Sequence, residues 1–132
     1  MTAAPEAPAD DLSPAEVRRM MEIGLHAVFA GRAGEALKLF DALGRLRPGA
    51  GFPRIGIAQA LLAAGRANEA VRVLEAAHAH DPADDDVRVM LGLALRLAQR
   101  MAQTARVLEP LLHADEDGPG RLARRLMALP AA

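Results

Sequence analysis

Histidines and carboxylates are the residues of this chain that could hold a metal or move a proton. They gather at one place, His78-Ala79-His80-Asp81, with Asp84, Asp85 and Asp86 just beyond. On a helix, residues two apart do not share a face, so His78 and His80 are poorly placed to chelate one ion. The expectation is two solvent-exposed histidines at a helix C-terminus, where positive charge is favourable. His26 falls in a segment otherwise lined with apolar residues, and no acid or nucleophile stands at a defined spacing from it. It is read as a packed or rim histidine rather than a base. The chain has one Ser, two Thr and no Cys, which removes disulfides, thiolate chemistry and cysteine zinc sites. The glycines are spaced for turns, and no phosphate loop is present. The sequence therefore predicts no enzyme, no metal site and no cofactor.

What remains is the framework. At 132 residues the chain is one domain's worth. Its apolar half is mostly Ala and Leu, with three Phe and neither Trp nor Tyr. Helix formers dominate, so an all-α fold is expected. A net charge of −1 without an aromatic-basic surface argues against nucleic-acid binding. Arg supplies fifteen of the sixteen basic residues, a bias that fits a GC-rich bacterial genome. The opening "MTAAPEAPADDL" has neither the basic nor the apolar region of a signal peptide. The apolar run "IGIAQALLAA" at 55–64 is half of a membrane span. A cytoplasmic protein without membrane insertion is the expectation.

"GRAGEALKLFDALGRLRP" at 31–48 returns as "GRANEAVRVLEAAHAHDP" at 65–82. With a shift of 34, Pro14, Pro48 and Pro82 coincide, as do Gly24, Ala58 and Gly92. Gly31, Gly65 and Gln99 align, then Ala36, Ala70 and Thr104, then Phe40, Leu74 and Leu108. Such a period marks a helical solenoid. Ser13-Pro14-Ala15-Glu16 is a capping box with Pro at the first helical position. Gly31 and Gly65 suit helix ends that need positive φ. Helices are predicted over 14–30, 34–46, 53–64, 68–80, 84–98 and 102–114. After "GPG" at 118–120, a seventh over 121–129 carries Leu122, Leu126 and Leu129 on one side and Arg121, Arg124 and Arg125 elsewhere. The organisation expected is a flexible acidic tail over 1–13, repeats over 14–118, and a capping helix and tail over 119–132.

The pattern resembles the tetratricopeptide repeat, with units at 17–50, 51–84 and 85–118. Ile23-Gly24, Ile57-Ala58 and Leu91-Gly92 match the family's apolar-plus-small pair. Ala36 and Ala70 match its closest-packed alanine, Phe40 its aromatic, and Pro48 and Pro82 its closing proline. The bulky aromatic early in the first helix is replaced by Met20, Arg54 and Arg88. The third copy is worn, with Gln99 for Gly, Thr104 for Ala and Glu116 for Pro. The resemblance implies a right-handed solenoid of three helix pairs whose first helices line a concave groove. In family register that groove is lined by Arg18, Met21, Glu22, Leu25, Val28 and Phe29, then Phe52, Ile55, Gly56, Gln59, Leu62 and Ala63. The third unit adds Asp86, Val89, Met90, Leu93, Arg96 and Leu97. Twelve of these eighteen are apolar, which suits an apolar or amphipathic ligand. Flexible Met21 and Met90 would adapt to it. Arg18, Glu22 and Arg96 would set register at the rim, and Leu62 would stand open in the free protein. The Lys and Asn clamp of family members that grip carboxylate tails is absent, replaced by Met21, Leu25, Gly56 and Met90.

The chain resembles in particular the small tetratricopeptide chaperones of bacterial type III secretion systems, through the rhythm of residues 24–82 and its apolar first helices. That resemblance implies a partner, a secreted needle, filament or translocator subunit held by a hydrophobic or amphipathic segment. A homodimer or a co-chaperone would be compatible with it. The alternative is a generic scaffold or self-assembling adaptor joining cytoplasmic proteins, and a third reading is a subunit masking an enzyme's surface.

Overall fold

The computed structural model describes residues 12–114 and 117–130. Its order is α1 (Pro14–Phe29), α2 (Ala33–Leu46), α3 (Phe52–Ala63), α4 (Ala67–His80), α5 (Asp85–Leu97), α6 (Met101–Leu108), a 3-10 turn (Glu109–Leu111) and α7 (Pro119–Ala128). No strand occurs among the described residues. The tail expected over 1–13 lies outside them up to residue 11, as does Glu116.

Local signals account for the helix starts. The Ser13 side chain accepts from the Glu16 N–H at 3.1 Å, and the Glu16 carboxylate accepts from the Ser13 N–H at 2.9 Å. The latter bond holds Glu16 below the usual carboxylate range. Asp84 caps α5 by accepting from the Val87 N–H at 3.1 Å. α2, α4 and α6 start instead at Arg32, Arg66 and Arg100, without side-chain caps. Arg66 donates to both oxygens of Glu69 at 2.5 and 2.6 Å, which lowers the Glu69 pKa.

The turn inside each repeat is the same object three times. The Arg32 N–H reaches the Ala27 carbonyl at 2.8 Å, Arg66 reaches Leu61 at 2.8 Å, and Arg100 reaches Leu95 at 2.9 Å. These are the six-to-one bonds of a Schellman ending, which demands a left-handed residue before the donor. Gly31 and Gly65 provide it at φ 79° and 77°, and Gln99 takes the same conformation at φ 64°.

Packing follows the period too. Ala36, Ala70 and Thr104 are fully buried, as are Phe40, Leu74 and Leu108. The Thr104 hydroxyl stays satisfied by donating to the Arg100 carbonyl at 3.0 Å. The Phe40 ring lies between Gly24 of α1 and Gly56 of α3, where an added Cβ would come within 2.5 and 2.6 Å of ring carbons. Gly92 takes the corresponding approach of Leu108. Arg88, one of the residues standing where the family has an aromatic, reaches across its repeat to the Val107 carbonyl at 3.1 Å and back to the Pro82 carbonyl of the preceding unit at 3.3 Å. A polar clasp there replaces an aromatic contact.

The predicted sixth helix is corrected. α6 stops at Leu108 and gives way to the 3-10 turn, because Pro110 has no N–H to continue the α-helical ladder. The tightened chain brings α7 onto α5 and the turn. Ala123 and Leu126 are buried there with Val89, Leu108 and Leu111. The expected capping face of Leu122, Leu126 and Leu129 is thus only one-third right. Leu126 docks, while Leu122 and Leu129 each remain 52% exposed.

Candidate partner-binding face

α1 packs on α3, α3 on α5, and α5 on α7, so four helices form one layer. α2 packs between α1 and α3, and α4 between α3 and α5, while α6 packs on α5. The inner layer holds the eighteen positions expected to line a groove, and the structure sorts them into three groups.

Some are open. Phe29 is 85% exposed and Leu97 55%, at equivalent positions of the first and third repeats. Ala63 is exposed at the same position of the second, and Arg18, Glu22 and Asp86 are exposed as well. Others sit half-buried in clefts between successive inner helices. Met21 and Phe52, with exposed Arg18, line a space of about 380 Å³ together with Pro14, Val17 and Arg47. Ile55, Asp86, Val89 and Met90 share a second space of about 340 Å³ with Gly118, Pro119 and Leu122. Leu25, Gln59, Leu62, Leu93 and Arg96 are half-buried.

The third group is engaged within the fold, with Val28, Gly56 and Val89 buried and Leu62, Leu93 and Arg96 partly used, which corrects the expectation. Val28 is buried among Ala36, Phe40 and Leu43. Val89 borders its cleft, yet α7 covers most of it. Gly56 faces Phe40 of α2 rather than a ligand. Leu62, expected to stand open, packs against the central cluster of Leu61, Leu74 and Leu91. Leu93 packs against the cluster beneath α7. Arg96 is engaged as well. Its guanidinium donates to the carbonyls of Leu129 and Pro130 at the end of α7.

α7 adds what the register did not assign. Leu122 joins the second cleft, and the bond from Arg96 sets Leu129 beside the end of α5. Leu122, Leu126 and Leu129 share one helical face, so spacing alone did not separate the docked Leu126 from the two open leucines.

The histidines separate from any chemistry. His26 and His80 are exposed, so His26 is not packed, while His78 is half-buried with Nδ1 enclosed and unpartnered. The reading of both His78 and His80 as solvent-exposed therefore fails for His78. No group of three His, Cys, Asp or Glu placed to hold a metal occurs among the described residues. Within the same residues, no helix is long and apolar enough to cross a membrane.

Residues 61–129 match the tetratricopeptide repeat family, a span of more than half the chain. The chain belongs to that family. The first unit, outside the matched span, carries the same Schellman turn and the same buried Ala36 and Phe40. A comparison with curated proteins gives no match. Tetratricopeptide repeats are typically non-catalytic protein-interaction modules, and membership of the family implies a protein-binding scaffold.

Proposed function

We propose that the chain holds an apolar or amphipathic segment of another protein against the layer of α1, α3, α5 and α7, without altering it chemically. The observation that supports this is the exposure of Phe29 and Leu97, two large apolar side chains repeated on one face. A partner covering ~400 Å² of apolar surface would gain ~10 kcal/mol gross. Association and ordering costs remove much of that, leaving micromolar to nanomolar affinity.

A more specific form of the proposal is a cytoplasmic chaperone that keeps a needle, filament or translocator subunit soluble before type III export. It rests on the rhythm of the repeats and on the apolar first helices. The same two features serve a scaffold joining cytoplasmic proteins, so the partner's identity separates them.

The test is co-purification of the tagged chain from its native cell, with mass spectrometry, beside a Phe29→Asp/Leu97→Asp variant. Both positions are exposed, so the variant should keep wild-type helicity and melt within a few degrees of it. We expect it to lose the partner. An exported subunit among the lost proteins favours the chaperone form, and cytoplasmic proteins favour the scaffold. A folded variant that retains every partner would place binding on another surface.

A further inference from the structure

The cleft of about 380 Å³ between the starts of α1 and α3 lies where the described chain begins. Pro14, Val17, Arg18 and Met21, at the spacing of one helical face, form its α1 wall, and Arg47 and Phe52 complete it. Arg47 donates to the neighbouring Leu46 carbonyl at 3.1 Å and, across 35 residues of sequence, to the Leu12 carbonyl at 2.9 Å. Leu12 is thereby tied to a side chain that lines the cleft. Eleven residues precede it.

Those eleven residues suit the cleft in chemistry and in length. The walls are apolar at Met21 and Phe52 and cationic at Arg18, which is exposed and forms no ion pair among the described residues. The preceding segment is rich in Ala and Pro and carries Glu6, Asp10 and Asp11 with neither Lys nor Arg. From residue 7 to residue 12 the chain can span up to ~16–18 Å. The rise from Pro14 to Met21 is about 10.5 Å. Residues 7–11 are therefore long enough to follow the whole α1 wall. Tethered at Leu12, they are also present there at high effective concentration.

We propose that residues 1–11 of this chain occupy the α1–α3 cleft, their alanines and prolines over Met21 and Phe52 and their carboxylates toward Arg18. Under the function proposed above, on which this consequence alone rests, the segment is a built-in competitor. A partner must displace it before reaching the start of α1 and α3.

The chain has no cysteine, so an introduced pair reports a single contact. In the full chain, Ala7→Cys is combined either with Met21→Cys in the cleft or with Ile23→Cys. Ile23 is two residues further along α1, on another face, and is 56% exposed. Both receivers are within reach from Leu12, and a segment that was not seated would favour the more open one. In a glutathione buffer we expect the Met21→Cys pair to close its intramolecular disulfide roughly tenfold more readily. Arg18→Glu should remove that preference, and adding Glu6→Lys/Asp10→Lys/Asp11→Lys should restore it. Circular dichroism melts confirm folding, and Val17→Cys replaces Met21→Cys where the latter unfolds the chain.

Equal closure of the two pairs, or a preference for Ile23→Cys, overturns the inference. Disulfide-linked dimers in place of monomers put a second copy's segment in the cleft and overturn it as well. A preference that survives Arg18→Glu overturns the assignment of the carboxylates to Arg18. No partner takes part in these reactions, so the proposed binding face is judged separately, by the co-purification.

Discussion

Gln99 holds a conformation that its side chain does not favour. At φ 64° it completes the same turn that Gly31 and Gly65 complete in the other repeats. A left-handed non-glycine residue costs roughly 1–2 kcal/mol, and glycine's extra unfolded-state freedom offsets roughly 0.5–1 kcal/mol of the gain on replacement. Gln99→Gly should therefore stabilise the protein by roughly 0.5–1 kcal/mol, read as a higher urea midpoint with an unchanged slope. A lower midpoint would mean that the glutamine side chain contributes something the backbone account omits. The turn itself was legible from the spacing of Gly31 and Gly65, and Gln99 looked like decay of the third copy. The residue changed and the geometry did not. Less legible were Leu62 and Val89. Family register says which way a side chain leaves its helix, but burial depends on what arrives from elsewhere in the chain.

For the helices, the lesson lies in Pro110 and α7. Six helical segments were readable from the 34-residue period, the capping box and the breakers, the first five with ends off by at most one residue. The sixth was drawn too long, because its periodicity continues through Pro110 while its hydrogen bonds do not. That shortening sets how α7 meets α5, so the docking face is Ala123 and Leu126. Leu126→Ala should then cost about 2 kcal/mol, the low end for a core leucine, since it lies at the edge of the fold. Leu122→Ala should stay within about 0.5 kcal/mol. Paired urea titrations decide the point. Equal losses at the two positions would restore the broader capping face that the sequence suggested.

Across the whole molecule, each repeat leans on its neighbours, and stability is close to a sum of local and nearest-neighbour contributions. The central apolar cluster joins α3, α4 and α5, and Leu37 and Ile57 also pack against the cluster of the first repeat. Backbone amides of α3 to α5 should exchange with deuterium most slowly, and those of α7 and the first turns of α1 most quickly. Uniform protection along the chain would show all-or-none unfolding instead. The inner layer was legible because positions recur by 34. Its extent over α7 was not, since α7 follows a tightened connection and keeps no simple register with the helices before it.

Ile23 gives the molecule a direction. Its counterparts Ile57 and Leu91 pack against the preceding repeat, whereas Ile23 is 56% exposed among the described residues. At the opposite end, α7 presents Arg121 and Arg125 outward. Among the described residues the architecture behaves like a stack of tiles whose front edge is apolar and whose rear edge mixes apolar and charged side chains. A duplicated unit inserted ahead of α1 would meet the exposed Ile23, while one appended behind α7 would meet Arg121 and Arg125 as well as apolar side chains. For gene duplication or for a protein engineer, this array lengthens from its front.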